Sequence, residues 1–411
     1  MKDVAVNMSD YKIYEDMRHF HEDFPNAKAV EDGGPRIPQI GAYNCVIEKL
    51  IVEKKTFASA FLPTGTGKTD VVRALAIGLT NRGYCSAVWV FSPNSGLKDQ
   101  VTDVEECGRF LNRVGEEDTY SVSPFVSEEN FEEAFNRFKD GAILQSWTTQ
   151  KLAAGNNVHE FIKYAEKLKK ETGRLPVGII DECHQHGDDK HWGKQIKLLE
   201  EAGISMILLT GTPYRSDNTA IPFFKYIEMS EINRPYKQTA YSSFGENLSV
   251  KTGNLVGMEY RLEADYEFSY SRAMDEGYII RPMIQYIDAR ETTHENKRLS
   301  EMSKDKAQKH IQPYILDDKT IAEAVSQTII TLDQQGNSAA LITTCADQDT
   351  DYHDFHAKKI KAEIKKQDPS KKVLIVTSHS EESGLMEKFR TDTSYDIIIV
   401  KAMGTIGYDC P

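Results

Sequence analysis

The chain has 411 residues, enough for two or three domains that each bury a core. Fifty basic against 63 acidic side chains leave a net charge of −13, which excludes a protein that coats polyanions generally but leaves room for a local groove. With 40% hydrophobic and 27% charged residues the chain is not of the disordered kind. No stretch approaches the ~18–20 apolar residues of a membrane span. The start lacks a secretory pattern, and the six cysteines are scattered without a Cys-x-x-Cys pair, so reduced thiols and a cytoplasmic location are expected.

Residues 1–35 read as a polar N-terminal extension, with Ile13, Met17 and Phe20 spaced for a short helix and EDGGP closing it. From 36 to 236 apolar strands alternate with amphipathic helices. FASAFL (57–62), AVWVFSP (87–93), AILQSW (142–147), VGIIDE (177–182) and ISMILLTGTP (204–213) predict buried strands. The helix after FASAFL puts Val71, Val72, Leu75 and Leu79 on one face. Such alternation predicts an α/β fold built on a parallel sheet with helices on both faces. Residues 237–320, rich in Tyr and Ser and then in mixed charge, predict an irregular or helical connector rather than a second parallel sheet. From 321 to 411 the rhythm resumes, with AALITT (339–344), VLIVTS (373–378) and DIIIVKA (396–402) as strands and 356–366 and 382–390 as helices.

Two segments carry chemistry. Pro63-Thr64-Gly65-Thr66-Gly67-Lys68-Thr69 lies between a strand and a helix. Glycines there let successive N–H groups converge on a phosphate, and the helix N-terminus adds positive potential. Lys68 is placed to reach the β and γ phosphates, and the Thr69 hydroxyl to ligate Mg²⁺. The general phosphate-loop pattern has Gly where Leu62 stands; the Pro-Thr-Gly-x-Gly-Lys-Thr variant fits throughout. Asp181-Glu182-Cys183-His184 follows the apolar run VGII. An acid at that strand end can hold Mg²⁺ through water, and the next acid can orient and deprotonate an attacking water. Glu363-Ile364-Lys365 has the acid-x-Lys form found in nucleases, but it falls in a helical pattern with no Asp-bearing strand before it.

PTGTGKT, DECH and LTGTPYR (209–215), in this order and spacing, resemble motifs I, II and III of superfamily 2 helicases of the DExH type. The branch most resembled is the motor of type III restriction subunits and related phage and defence helicases. Further segments are similar to the family. They are Arg36-x-Pro38-Gln39 as the upstream glutamine motif, SPNSGLKDQ (92–100) as motif Ia and SWTTQKL (146–152) as motif Ib. YDIIIVKAMGTIGYDCP (395–411) is similar to motif V, with Ile406 where the family carries a polar residue. The segment 265–282 is similar to the family's inter-lobe connector.

The resemblance implies two RecA-like lobes, 36–236 and a partial one at 321–411, joined by the connector. It implies ATP and Mg²⁺ as cofactors and nucleic acid, DNA before RNA, as the partner, held by its phosphates. The nucleotide is expected on Gln39 (adenine edge), Thr64, Gly65, Thr66, Gly67, Lys68 and Thr69, and the metal on Thr69 and Asp181. Glu182 is expected to activate water. His184, Thr210, Thr212, Arg215 and Asp409 are expected to couple that site to the nucleic-acid face. Ser92, Asn94, Thr148, Thr149, Thr343 and Thr344 are the expected phosphate contacts. A motif VI arginine helix, expected after motif V, does not occur before Pro411. The second lobe is therefore expected to continue past the sequence given, and hydrolysis by this chain alone to be feeble. A module that binds without turnover, or the motor part of a restriction or defence nuclease complex, are the alternatives.

Overall fold

The computed structural model describes residues 9–120, 123–185, 191–212, 221, 224–228, 237–239, 260–279, 317–335, 340–344, 355–376, 385, 392 and 394–401. The chain divides into two compact units, Met1–Arg281 and Pro282–Pro411. No helix among the described residues is long and apolar enough to cross a membrane.

The first unit is built on a seven-stranded sheet. Its first six strands are β1 (Phe57–Phe61), β2 (Val88–Ser92), β3 (Phe125–Ser127), β4 (Leu144–Thr148), β5 (Val177–Ile180) and β6 (Ser205–Thr210). Three short strands, β7 (Lys225–Glu228), β8 (Lys237–Thr239) and β9 (Tyr260–Glu263), form a separate antiparallel sheet in the order β8-β7-β9. β10 (Tyr266–Glu267) then returns to the large sheet, whose order is β10-β1-β6-β5-β2-β4-β3, parallel throughout. The strands expected from their apolar runs are the ones that form the middle of this sheet. The stretch expected to be irregular contains β8, β9 and β10. These are two to four residues long and carry charge, so no apolar run announces them.

Alternating residues along the central strands feed two cores, as a sheet covered on both faces requires. Val88, Val90, Ile179, Ile207 and Leu209 pack beneath α3 (Ile37–Ile47), α4 (Lys68–Asn81) and α6 (Val104–Val114), which supply Ile40, Val71, Leu75 and Phe110. Trp89, Phe91, Trp147, Ile180 and Leu208 pack beneath α7 (Phe131–Lys139), α9 (Asn157–Thr172) and α10 (His191–Glu201), which supply Phe135, Phe161 and Ile196. Each large apolar side chain so buried contributes about 1.5–3 kcal/mol relative to exposure. The two short N-terminal helices, Ser9–Asp16 and His19–Asp23, lie against α3, where the Asn44 side chain accepts from Phe20 N and donates to Tyr14 O and Met17 O.

The described part of the second unit is a three-stranded parallel sheet of β11 (Ala340–Thr344), β12 (Val373–Val376) and β13 (Ile397–Lys401), in the order β11-β13-β12. Helices Asp318–Gln335 and Phe355–Gln367 pack on one face through Ile321, Val325, Ile360 and Ile364 against Ile397 and Ile399. Ile398 and Val400 point into a second small cluster with Val376 and Leu385. In the acid-x-Lys segment, Ile364 is core and Glu363 bonds Lys366 and Gln367 on its own helix, the arrangement of an ordinary solvated helix face. Of the helix expected at 382–390, only Leu385 lies within the described residues.

Candidate nucleotide-binding and hydrolysis site

β1, β6 and β5 are neighbours in the sheet, so the loops leaving their carboxyl ends meet at one edge. These loops are Pro63–Lys68 after β1, Asp181–His184 after β5, and the turn Thr210–Thr212 at the end of β6. Leu62 N donates to Thr210 O at 2.9 Å, joining the first loop to the third. In parallel sheets this edge is where ligands gather.

The loop after β1 turns on two glycines, Gly65 at φ 88° and Gly67 at φ 91°, in the left-handed region that costs an L side chain energy. A Cβ on Gly67 would also stand 2.1 Å from Gln39 Nε2. Thr66 is buried, and its hydroxyl donates to Pro63 O at 2.6 Å, closing the loop on itself. Arg36 Nη1 donates to Gly65 O at 2.6 Å. Lys68 and Thr69 then open α4, with Thr64 exposed at the loop tip and Thr69 half-buried. The free N–H groups of a helix start and the glycine turn make an anion cradle.

Gln39, expected on an adenine edge, sits against the loop. Its Oε1 accepts from Arg36 N at 2.7 Å, and its Nε2 donates to Gly67 O and Asp70 Oδ2, both at 3.2 Å. Asp70 in turn receives Arg73 Nη1 and Arg113 Nη1, each at 2.9 Å. The buried Arg73 guanidinium continues to Gln100 O at 2.8 Å and Val101 O at 3.1 Å, at the end of α5 (Ser95–Thr102). Asp70, Arg73 and Arg113 were not expected from sequence. The one local signal was an acid in the first helical turn followed three residues later by an arginine.

Lys68 Nζ lies 3.1 Å from Glu182 Oε1, both side chains being nearly buried. The other Glu182 oxygen is 3.3 Å from His184 Nδ1, which is 3.1 Å from Thr210 Oγ1. Thr210 Oγ1 donates to Thr212 O at 2.9 Å and accepts from Thr212 N at 3.1 Å. With its hydrogen committed to Thr212 O, Thr210 acts as acceptor toward His184, so the Nδ1 proton belongs to the histidine. Glu182 reaches both partners because its backbone is left-handed, φ 49°, a conformation that costs a non-glycine residue on the order of 1–3 kcal/mol. Its amide donates to Asp181 Oδ1 at 3.0 Å. Burial and then the neighbouring Glu182 raise the Asp181 pKa. Burial also works against charge on Glu182, but the His184 hydrogen bond and the Lys68 ammonium outweigh it and lower its pKa. The two adjacent acids are thereby driven apart.

Ser92 and Thr148 are register partners at the carboxyl ends of β2 and β4, which brings those two expected phosphate-contact segments together. Their side chains are occupied or enclosed. Asn94 caps α5 by accepting from Leu97 N, and Thr148 caps α8 (Thr149–Ala153) by accepting from Lys151 N. Ser92 and Thr149 are buried. What the edge leaves open is backbone N–H groups at the starts of α5 and α8, held by these two capping side chains. The Ser92 hydroxyl, the Trp147 indole nitrogen and both Glu128 carboxylate oxygens are buried there with no hydrogen-bond partner among the described residues. Thr343 and Thr344 end β11, with side chains outside the described residues; Arg215 and Asp409 lie outside them altogether.

A glycine-turned loop after β1, paired acids after β5 and a Thr-Gly-Thr turn after β6 thus share one end of the sheet. The family model described as "Type III restriction enzyme, res subunit" matches residues 33–215, the segment that contains all three of these loops, and the lobe is similar to that family there. An uncharacterised protein of Mycobacterium leprae is 23% identical over 239 residues, 58% of this chain and 32% of that protein. An uncharacterised protein of Mycobacterium tuberculosis is 29% identical over 115 residues, 28% of this chain and 15% of its own length. The chain thus spans a third or less of these relatives. The solved structure of the DUF1998 helicase MrfA bound to DNA is similar in fold, with a TM-score of 0.50 at 9% identity, covering 97% of this chain and 46% of that one.

Proposed function

We propose that this chain is the ATP-dependent motor of a nucleic-acid helicase or translocase, directed to DNA. The observation that carries this reading is the chain of contacts Lys68–Glu182–His184–Thr210, which links the phosphate loop, the paired acids and the β6 turn. Gly65, Gly67 and the first amides of α4 would hold the triphosphate, and Lys68 its terminal phosphates. The Thr69 hydroxyl and the Asp181 carboxylate are hard oxygen donors, and Mg²⁺ asks for only one or two protein oxygens besides its waters. When bound, the ion would neutralise charge on the phosphates. Glu182, ionised and oriented by His184, would accept the proton of the attacking water. Thr210 and Thr212 would pass the state of the site along the β6 turn. The restriction-enzyme family match supports DNA as the track, with a role in a restriction or defence complex. With a chain charge of −13, binding is expected along a narrow groove, through phosphates.

The test is steady-state ATP hydrolysis by the purified chain with and without DNA or RNA. Lys68→Ala and Glu182→Gln are each expected to abolish turnover. Turnover unchanged in either variant would remove the assigned roles, and stimulation by RNA alone would overturn the DNA reading.

A further inference from the structure

The segment from Asp265 to Ile279 is far from the phosphate loop in sequence and next to it in space. β10 runs parallel to β1, with Ala60 opposite Tyr266 and Phe61 opposite Glu267, and Phe268 N donates to Phe61 O at 3.0 Å. The segment therefore leaves the sheet at the same edge as the loop. It is fastened at both ends. The Asp265 carboxylate accepts from Ser59 N and Ser59 Oγ, both at 2.8 Å, and Arg272 makes a two-pronged pair with Glu15, which also receives the Tyr266 hydroxyl at 3.0 Å.

From this fixed base, α11 (Tyr270–Asp275) presents one hydroxyl to the site. Tyr270 Oη donates to Gly211 O at 2.6 Å, and its ring packs at 6.0 Å from that of Phe61. Gly211 is the centre of the Thr210–Thr212 turn and is pressed onto the phosphate loop. A Cβ there would lie 2.8 Å from Lys68 Nζ, 3.0 Å from Leu62 O and 3.2 Å from Thr64 N. No side chain of residue 211 can hold this turn in place; its carbonyl is the handle. Tyr270 is 41% exposed, and the partial burial of its phenol keeps its pKa above the ordinary value.

We infer that Tyr270 is a positioning residue for the hydrolysis site. Through Gly211 O it seats the Thr210–Thr212 turn, so that Thr210 orients His184 and His184 orients Glu182. This rests on the proposed ATPase function and deepens it, because it makes the connector segment part of the site. The Tyr270 hydroxyl is committed to Gly211 O and otherwise sits only as an uncharged group in the field of Lys68 and Glu182, so losing it would lower the fraction of molecules with Glu182 assembled more than it weakens nucleotide binding.

The experiment compares wild type, Tyr270→Phe and Lys68→Ala as full chains. It measures kcat and KM for ATP, binding of a fluorescent ATP analogue with Mg²⁺, and thermal unfolding. Phenylalanine keeps the ring against Phe61 and removes only the hydrogen bond. The expected result is a kcat lower by about 3- to 10-fold, the rate equivalent of one neutral hydrogen bond, with KM and analogue affinity within about twofold of wild type. An unchanged kcat, with or without a lower unfolding temperature, would mark the contact as merely structural and overturn the inference. So would a loss of affinity equal to the loss of rate. If wild type neither binds nor hydrolyses ATP, the functional reading itself fails and this inference with it. Wild-type turnover that is lost in Lys68→Ala but intact in Tyr270→Phe removes the inference alone.

Discussion

Glu182 is held by two partners, and on the proposed function one of them, Lys68, would also serve the phosphates. The Lys68–Glu182 contact would then compete with nucleotide for the ammonium. Glu182→Gln is expected to bind an ATP analogue about 3- to 10-fold more tightly than wild type, because the ammonium exchanges a charged acceptor for a neutral amide oxygen, a difference of about 0.6–1.4 kcal/mol. Equilibrium titration with a non-hydrolysed analogue checks this. A second residue-scale expectation concerns Glu128, whose carboxyl burial pushes up to about 7, with Arg137 opposing from 3.9 Å. An unfolded glutamate titrates near about 4.3. Between the two values the folded chain keeps a proton that the unfolded chain has lost, so stability falls as pH rises through that window. Glu128→Gln removes this penalty. It is expected to stabilise by about 1–3 kcal/mol at pH 8 and by little at pH 4–5, read as the difference in unfolding temperature across pH.

At the scale of elements, the phosphate loop is seated by its neighbours as much as by its own turn. α4 is tied to the end of α5 by Arg73, whose guanidinium serves Asp70 and the last-turn carbonyls of Gln100 and Val101. A helix end leaves such carbonyls without intrahelical partners, and a cation there is favourable. Arg73→Met should leave Gln100 O to the long bond from Asp103 N, Val101 O to the weak Cys107 Sγ donor and Asp70 to Arg113 and Gln39, at about 1–3 kcal/mol in urea unfolding. Arg73→Lys should recover less than half of this, because one ammonium cannot span three acceptors in a plane.

For the whole molecule, legibility in the sequence followed the range of the interaction. The alternating α/β architecture was legible because Val88–Ser92 and Val177–Ile180 are apolar enough to be buried on both faces. The cradle and paired acids were legible because loop, helix start and strand end are local patterns. Asp70, Arg113 and Tyr270 were not, since each acquires its meaning from a partner brought near by folding. The expected phosphate contacts show the converse. Asn94 and Thr148 have the side chains of polar ligands, and the same chemistry makes them helix caps.

The sheet order also sets a timetable. β1 is the first strand made, yet its neighbours β6 and β10 are the fifth and last of the large sheet to follow it. Roughly 150 residues must emerge before Phe61 can meet Thr210, about 8–30 s at ribosomal rates of about 5–20 residues per second. During that interval the strand that carries the phosphate loop has both edges bare, while β2 can already pair with β4. The glycine-turned loop is thus among the first segments synthesised and among the last to assemble, and the nascent chain must keep FASAF from pairing elsewhere until β6 arrives.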